Sequence, residues 1–151
     1  YRQLHGLDGV VLRVANPYGE RQRLDSSQGV VPVFLGKALR GEPLQIWGDG
    51  STVRDFLHVS DVVSALMAAV RYSGDANLFN IGSGVGLSLN QLVALLETEL
   101  QHPLSIDYLP ARGFDVPTNV LSIERARLCM GWRPKVPVSE GLKRLCADNG
   151  I

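Results

Sequence analysis

The stretch GVVLRVAN at residues 9–16 constrains the fold more than any other part of the chain. Its apolar residues follow one another almost without interruption instead of alternating with polar ones. This pattern is typical of a parallel strand that helices cover on both faces. Such a strand needs neighbours on both sides, and the residues before it are too few to supply one. The sequence therefore predicts an α/β fold, and we expect the chain to be the tail of a longer protein.

The remainder of the chain alternates between helix and strand signals, as α/β proteins do. Pro32 is compatible with the first turn of a helix, Ser60 is a candidate N-cap, and Ser88 with Gln91 forms a capping box. Strands are predicted at 44–47, 56–59, 78–81 and 105–108. Helices are predicted at 1–5, 30–40, 61–72, 89–101, 122–130 and 138–147.

Composition excludes several classes of function. The chain has 151 residues, enough for one domain, and its 15 basic residues balance 15 acidic ones. A neutral chain has no net field to attract nucleic acid or an anionic membrane, so neither is expected as a partner. No apolar stretch approaches the roughly 20 residues that span a bilayer. The three histidines stand singly, and no metal site is predicted.

Two cysteines, Cys129 and Cys146, lie in segments with helical patterns and without C-x-x-C spacing. This arrangement favours buried, reduced thiols over a disulfide, and hence a cytoplasmic location. No spacing in the chain pairs a nucleophile with a base, so no catalytic residue is predicted.

The segment GSGVG at 82–86 follows a predicted strand and precedes a helix, as a dinucleotide-binding loop does. Asp107 even lies about where a ribose-binding acid would fall. However, the spacing is G-x-G-x-G and not G-x-G-x-x-G, which misplaces the third glycine for close helix–strand packing. We therefore interpret the segment as a turn that leads into a well-capped helix.

Two arginines are candidates for anion binding. Arg54 lies between the glycine-rich turn GDGS and a predicted strand, and Arg112 lies in the loop LPARGFDVP with Asp115 three residues later. Guanidinium groups suit a diphosphate because each can donate two parallel hydrogen bonds. The alternative is that each arginine forms an ordinary surface salt bridge. Trp47 likewise has two interpretations: it is a core residue, or it is a platform on which a base stacks.

Five segments in order resemble the C-terminal half of nucleotide-sugar epimerases and dehydratases of the extended short-chain dehydrogenase/reductase family, to which UDP-glucose 4-epimerase belongs. The resemblance extends over nearly the whole chain. The segments are LRVANPYG (12–19), PLQIWGDGSTVRDFLHVSDV (43–62), FNIGSG (79–84), RGFDVP (112–117) and GWRPKVPVSEGL (131–142).

The resemblance implies roles for individual residues. Arg54 matches the arginine of the family's R-D-[FY]-[ILV]-[HY]-V motif, which would bind the diphosphate of a nucleotide sugar, and Arg112 would be the second cation. Asp115 would accept hydrogen bonds from the ribose hydroxyls. Asn16 would reach the diphosphate and the sugar.

Further roles follow from the same resemblance. Leu44, Gln45 and Trp47 belong to the segment that would form a wall against the base. Val14 and Ala15 would pass near the nicotinamide of the cofactor NAD.

A loop from Gly19 to Gly29 would close over the substrate, with the Val30 backbone contributing. Glu20 replaces the proline that usually follows Y-G in the family, which would loosen this loop.

The implied fold is the C-terminal part of a Rossmann-type parallel-sheet fold, with two late sheet strands and the small α/β substrate-binding domain. Residues 1–151 would be the substrate-binding portion of an NAD-dependent enzyme, without the NAD-binding region. The family's Y-x-x-x-K pair is not found in this sequence, so we expect no catalysis and doubtful NAD binding by this chain alone. Orphaned sheet strands would favour self-association.

The pattern DVPTNVLSIERA and the ANP before YG favour an epimerase of UDP-hexoses. A dTDP-glucose 4,6-dehydratase, a UDP-glucuronate decarboxylase and a non-catalytic nucleotide-sugar or NAD sensor remain open. A purely structural or oligomerising fragment is a further alternative.

Overall fold

A computed structural model describes residues 2–6, 8–25 and 28–151 of the chain. Helices and strands alternate along it, as predicted. The helices are α1 (Arg2–His5), α2 (Val30–Leu39), α3 (Val59–Arg71), α4 (Leu89–Leu100), α5 (Glu124–Met130) and α6 (Val138–Asp148). The strands are β1 (Val11–Val14), β2 (Asn16–Tyr18), β3 (Leu44–Trp47), β4 (Val53–His58), β5 (Leu78–Ile81), β6 (Gly86–Ser88), β7 (Ile106–Leu109) and β8 (Thr118–Asn119).

The strands form three small sheets. β1 pairs in parallel with β5, and β3 pairs in parallel with β7. In the third sheet β4 is central, with parallel neighbours β2 and β8 and the antiparallel neighbour β6. Within the described residues β1 pairs along one edge alone.

The predicted strand at 9–16 is in fact divided between two sheets. The backbone N–H of Ala15 still donates to the Ile81 carbonyl at 2.8 Å, which extends the β1–β5 pairing by one residue. Asn16 then pairs with Phe56 of β4. The continuous apolar run therefore pairs with two strands in succession.

Strand β4 separates two hydrophobic clusters, because successive side chains of a strand point to opposite faces. Phe56 packs into one cluster with Phe34, and Leu57 packs into the other with Phe79. The side chains of Phe56 and Leu57 are both almost fully buried. The first cluster joins α2, α4 and α6 to β3, and the second joins α3 and α5 to β5.

Asp55, also in β4, is a buried acid that organises the surrounding backbone. Its side chain is 1% exposed. One carboxylate oxygen accepts hydrogen bonds from the backbone N–H and the hydroxyl of Ser83, at 2.7 and 2.6 Å. The other accepts from the backbone N–H groups of Gly84 and Leu121, both at 3.2 Å. Asp55 therefore fixes the turn before β6 and the segment after β8 at once.

Helix α3 differs from its prediction at the N-terminus. It begins at Val59, and its N-cap is His58, whose ring nitrogen accepts from the backbone N–H of Ser60; the expectation that Ser60 is the cap was wrong. Its apolar stripe, including Leu66 and Val70, is exposed, whereas the small Ala65 faces the core. A sequence reveals that a helix has an apolar face but not what that face meets.

Other local predictions are confirmed. The capping box of Ser88 and Gln91 is present at the start of α4. The turn GDGS contains Gly48 and Gly50 at positive φ, and the Asp49 carboxylate accepts from the backbone N–H of Ser51 at 2.9 Å. This hydrogen bonding with Ser51 lowers the pKa of Asp49 below its usual value.

The cysteines only partly match the expectation. Both are free thiols, but Cys129 is exposed and Cys146 is buried. Burial raises the pKa of the Cys146 thiol and so disfavours its reactive thiolate. Within the described residues, no helix is long and apolar enough to cross a membrane.

We predict that Asp55→Ala lowers the free energy of unfolding by about 2–4 kcal/mol, because it leaves buried N–H groups without an acceptor. Urea denaturation followed by circular dichroism measures the effect. The exposed Asp107 in β7 provides a matched control: Asp107→Ala should change stability little. Equal effects of the two substitutions would contradict the role of Asp55.

We also predict that the chain self-associates through β1 and the exposed stripe of α3. Val11 on β1 is 57% exposed and Val70 on α3 is 79% exposed. An open cavity of about 710 Å³ separates these elements and is lined by Leu12 and Leu66, among others. An unpaired strand edge beside apolar surface favours pairing with another chain.

Light scattering across a range of concentrations tests this association. Leu66→Glu should lower the average mass, whereas the same change at Leu128, which is 67% exposed on α5, should not. A monomer at every concentration would show that the exposed stripe does not drive association.

Candidate functional site

An open cavity of about 260 Å³ lies where β3, β4 and α2 converge. Six residues that the resemblance assigned to substrate binding line it. They are Asn16, Val30, Gln45, Trp47, Arg54 and Asp115. Sequence reasoning missed three further lining residues, Phe34, Thr52 and Leu89. Phe34 and Leu89 are apolar residues of helices, so no chemical pattern distinguished them from ordinary packing residues.

Arg54 is the cation of this cavity, and β4 holds its backbone between two neighbouring strands. The residue pairs with Leu87 of β6 and Asn119 of β8. Its Nη1 atom donates to the carbonyls of Val53, at 2.9 Å, and Val116, at 2.7 Å. Among the described residues no other hydrogen bond of this guanidinium is found, so Nε and Nη2 remain available to a ligand.

The loop 109–117 connects β7 to β8 and is anchored at both ends. The backbone N–H of Gly48 donates to the Leu109 carbonyl at 2.9 Å. The backbone N–H of Val53 donates to the Pro117 carbonyl at 2.8 Å. The loop is thereby held against the strands that carry Trp47 and Arg54.

Within this loop, a turn places Asp115 in the lining of the cavity and Arg112 beside it. The backbone N–H of Asp115 donates to the Arg112 carbonyl at 3.1 Å. The central carbon of the Arg112 guanidinium lies 3.8 Å from the centroid of the Trp47 ring. This distance is well inside the roughly 6 Å range of a cation–π interaction. Arg112 therefore lies beside the cavity, in contact with one of its lining residues.

Strand β3 places its residues alternately toward the core and toward the cavity. Gln45 and Trp47 are exposed and line the cavity, whereas Leu44 and Ile46 are completely buried. The Leu44 side chain packs in the first hydrophobic cluster. Its predicted place in the wall is therefore wrong for the side chain, because a two-residue period cannot direct adjacent residues to one face.

Asn16 has a structural contact as well as a place in the cavity. Its side-chain amide donates to the Asp55 carbonyl at 2.8 Å, which joins β2 to β4. Val14 and Ala15, predicted to lie near a nicotinamide, are at the end of β1 and outside the lining of this cavity. Their assignment to the cofactor stays a prediction.

The start of the predicted closing loop is tied to the body of the protein. A Glu20 carboxylate oxygen lies 3.0 Å from Nε2 of the buried His58. The backbone N–H of Arg21 donates to the Asp148 carboxylate at 2.8 Å. Glu20 thus gives this segment a contact that proline could not provide, contrary to the expected loosening. The remainder of the prediction concerns Ser26 and Ser27 in part, which lie outside the described residues.

His58 also contacts Ser60, so a glutamate, a histidine and a serine lie in a row. The ring atom Nδ1 is 2.8 Å from the Ser60 hydroxyl. The same nitrogen caps α3, and neither residue lines the cavity. The row is best explained as a helix cap.

Tyr18 lies against the His58 ring in an edge-to-face arrangement and donates from its hydroxyl to the Val138 carbonyl at 3.1 Å. Burial raises the pKa of this phenol further above neutrality. A phenol that holds its proton this strongly is a poor general base.

The glycine turn 82–84 does not fit a dinucleotide. The backbone N–H groups of Ser83 and Gly84 already donate to the Asp55 carboxylate. A side chain that fills the turn with negative charge would repel a pyrophosphate. This confirms the interpretation as a turn.

The cavity has the chemistry of an anion site with an adjacent hydrogen-bond acceptor. Two guanidinium groups, Arg54 and Arg112, can contact phosphates, and the Asp115 carboxylate can accept from hydroxyl groups. Within the described part of the chain, no group of three potential metal ligands occurs. The arrangement is suited to binding a phosphorylated ligand that also carries hydroxyl groups.

Comparison with known proteins agrees with this chemistry. Residues 1–82 match the family described as "NAD dependent epimerase/dehydratase family". This match covers more than half of the chain. The chain belongs to the NAD-dependent epimerase/dehydratase family.

Individual members of the epimerase/dehydratase family resemble the chain over nearly its whole length. The dTDP-4-dehydro-6-deoxyglucose reductase of Escherichia coli is 37% identical, over 95% of this chain and 45% of the relative. The structure of UDP-glucose 4-epimerase from Thermotoga maritima with UDP-glucose is 41% identical with a TM-score of 0.92, over 99% of this chain and 48% of that protein. The UDP-glucose 4-epimerase of Thermus thermophilus in complex with NAD is 30% identical with a TM-score of 0.85, over 98% of this chain and 48% of that protein.

These comparisons confirm the α/β fold class, the recognised family and NAD as the cofactor of the family. The chain spans about half the length of the relatives it matches. Activity and substrate of a complete family member are therefore proposals for this chain.

Proposed function

We propose that the chain is the nucleotide-sugar-binding portion of an NAD-dependent sugar epimerase, with a UDP-hexose as ligand. The observation that carries this proposal is the convergence of Arg54, Trp47 and Asp115 on one cavity, with Arg112 at its side. These residues come from three separate segments of the chain. The guanidinium groups match the charge of a diphosphate, and the Asp115 carboxylate matches the hydroxyl groups of a ribose.

The diphosphate would lie against the two guanidinium groups. Nη1 of Arg54 donates to the carbonyls of Val53 and Val116, so the remaining N–H groups of this guanidinium would donate to phosphate oxygens. Arg112 would supply the second cation from the loop side. Charge-assisted bonds of this kind contribute roughly 1.5–3 kcal/mol each.

The nucleoside would lie toward β3 and the Asp115 end of the cavity. Asp115 would accept from the ribose hydroxyls, because a carboxylate repels phosphate and binds O–H donors. Gln45 offers an amide to the polar edge of a base. Asn16 and the backbone near Val30 would then border the sugar.

In a complete enzyme of this kind we propose inversion at C4 of the sugar through a 4-keto intermediate. This chain would contribute recognition and orientation of the substrate, whereas no described residue is placed to move the proton. We expect the chain alone to be catalytically inactive.

A second candidate is a related reaction on a dTDP-sugar. The Escherichia coli relative at 37% identity is a dTDP-4-dehydro-6-deoxyglucose reductase. The same cations would serve either nucleotide, so the base distinguishes the two candidates. Comparison of UDP-glucose with dTDP-glucose therefore belongs in the first experiment.

Calorimetric titration of the chain with UDP-glucose, UDP, dTDP-glucose and NAD tests the proposal. We expect binding of the uridine nucleotides, weaker binding of dTDP-glucose and no binding of NAD. Arg54→Ala should abolish the binding, since it removes the central cation. Arg54→Lys keeps the charge but not the fork, and should retain only part of the affinity.

Arg71→Ala is the matched control, because Arg71 is exposed at the end of α3 and does not line the cavity. It should leave all affinities unchanged. If neither the chain nor a longer form that includes the family's cofactor-binding half binds a nucleotide sugar, the proposal is wrong. Tighter binding of dTDP-glucose than of UDP-glucose would favour the second candidate.

Arg112→Ala is predicted to raise the Kd for the nucleotide sugar in the full-length enzyme about 10- to 150-fold, from one lost bond to a charged group. Arg133→Ala serves as its control, since Arg133 is also exposed and lies outside the cavity lining. An unchanged Kd would remove Arg112 from the site.

A further inference from the structure

Trp47 and Arg112 make a contact that the assignment of Trp47 to a base wall does not explain. The guanidinium carbon lies 3.8 Å from the ring centroid, so it covers one face of the indole. Tryptophan is the aromatic residue that binds cations most strongly. The face that Arg112 covers is closed to a stacking base as long as this contact persists.

The indole is the aromatic partner of the Arg112 side chain. The loop ends are anchored by backbone hydrogen bonds from Gly48 and Val53. Arg112 itself lies in the exposed turn between these anchors, and no hydrogen bond of its guanidinium is found among the described residues. A long, exposed arginine side chain otherwise samples many rotamers, which costs binding energy when a ligand immobilises it.

We propose that Trp47 is a positioning residue that holds the Arg112 guanidinium at the mouth of the cavity, so that affinity for a diphosphate depends on the indole. The inference rests on the proposed function, because it concerns the same cavity. It assigns Trp47 to the diphosphate end of the ligand instead of the base. The planar guanidinium can stack on the ring and still donate to phosphate oxygens from its edge.

Two partial ligands separate these assignments. Inorganic pyrophosphate carries the diphosphate without a base, and uridine carries the base and ribose without phosphate. Trp47→Leu should weaken pyrophosphate and UDP about 2- to 5-fold, the range that an exposed cation–π contact supplies. It should leave uridine unchanged. Trp47→Phe should restore most of the affinity, because it keeps an aromatic face.

A double substitution tests whether Trp47 acts through Arg112. Once Arg112→Ala is present, Trp47→Leu should weaken pyrophosphate binding no further. Phe114→Leu is the matched control, since Phe114 is an aromatic residue of the same loop that is 80% exposed; it should have no effect on either ligand.

Fluorescence reports the contact without any ligand. The other tryptophan, Trp132, is buried, and Trp132→Phe leaves Trp47 as the sole tryptophan emitter. Arg112→Ala should then make Trp47 more accessible to quenching by acrylamide. Equal melting temperatures of the variants would show that the fold is retained. If Trp132→Phe lowers stability, the difference spectrum between the wild type and Trp47→Phe provides the same signal.

The outcomes distinguish this inference from the proposed function. If Trp47→Leu weakens uridine and leaves pyrophosphate unchanged, Trp47 is a base platform; the inference is then wrong and the proposed function stands. The same holds if the two substitutions weaken UDP independently. If neither the chain nor the longer form with the cofactor-binding half binds UDP or pyrophosphate, both are overturned. Quenching that is unaffected by Arg112→Ala would also overturn the inference.

Discussion

The buried carboxylate of Asp55 is the interaction on which the geometry of the cavity depends. It collects hydrogen bonds from Ser83, Gly84 and Leu121, and so holds the segments that lead into β6 and out of β8. These two strands flank β4. Arg54 is the preceding residue and projects to the opposite face, because side chains alternate along a strand. The Asp55 carboxylate on one face of β4 therefore fixes the position of the Arg54 guanidinium on the other face.

The same alternation in β3 places Gln45 and Trp47 in the lining of the cavity. Leu44 and Ile46 are buried in the first hydrophobic cluster, and this packing fixes the strand. Gln45 and Trp47 are consequently directed to the cavity by the packing of their neighbours in the strand. The loop 109–117 completes the enclosure from above, since both of its ends are bonded to the backbone beside these strands. The same two strands, β3 and β4, therefore contribute side chains both to the core and to the cavity.

Local chemistry explains which features could be predicted from the sequence. The bounds of β5 and the capping box of α4 follow from residues within a few positions of one another, and both predictions are confirmed. Three strands have only two or three residues each: β2, β6 and β8. They form because they pair with β4. A pairing between distant segments leaves no local pattern in the sequence, so these strands were not predicted. The Arg54 and Arg112 spacing was equally compatible with surface salt bridges, and only the family resemblance favoured a site. The stacking of Arg112 on Trp47 depends on two distant segments meeting, so spacing could not reveal it.

The signs of the charges would also determine the orientation of a ligand in the cavity. Two guanidinium groups, Arg54 and Arg112, balance the charge of a diphosphate, whereas Asp115 on the same cavity repels it. An elongated ligand with phosphates at its centre and hydroxyl groups to one side satisfies all three residues in a single orientation. Inorganic pyrophosphate, which has no ribose, would leave the Asp115 carboxylate beside a cation but without a hydroxyl donor from the ligand. Discrimination in favour of nucleotides would then arise from the repulsion between Asp115 and any phosphate placed beside it, as well as from contacts to the base.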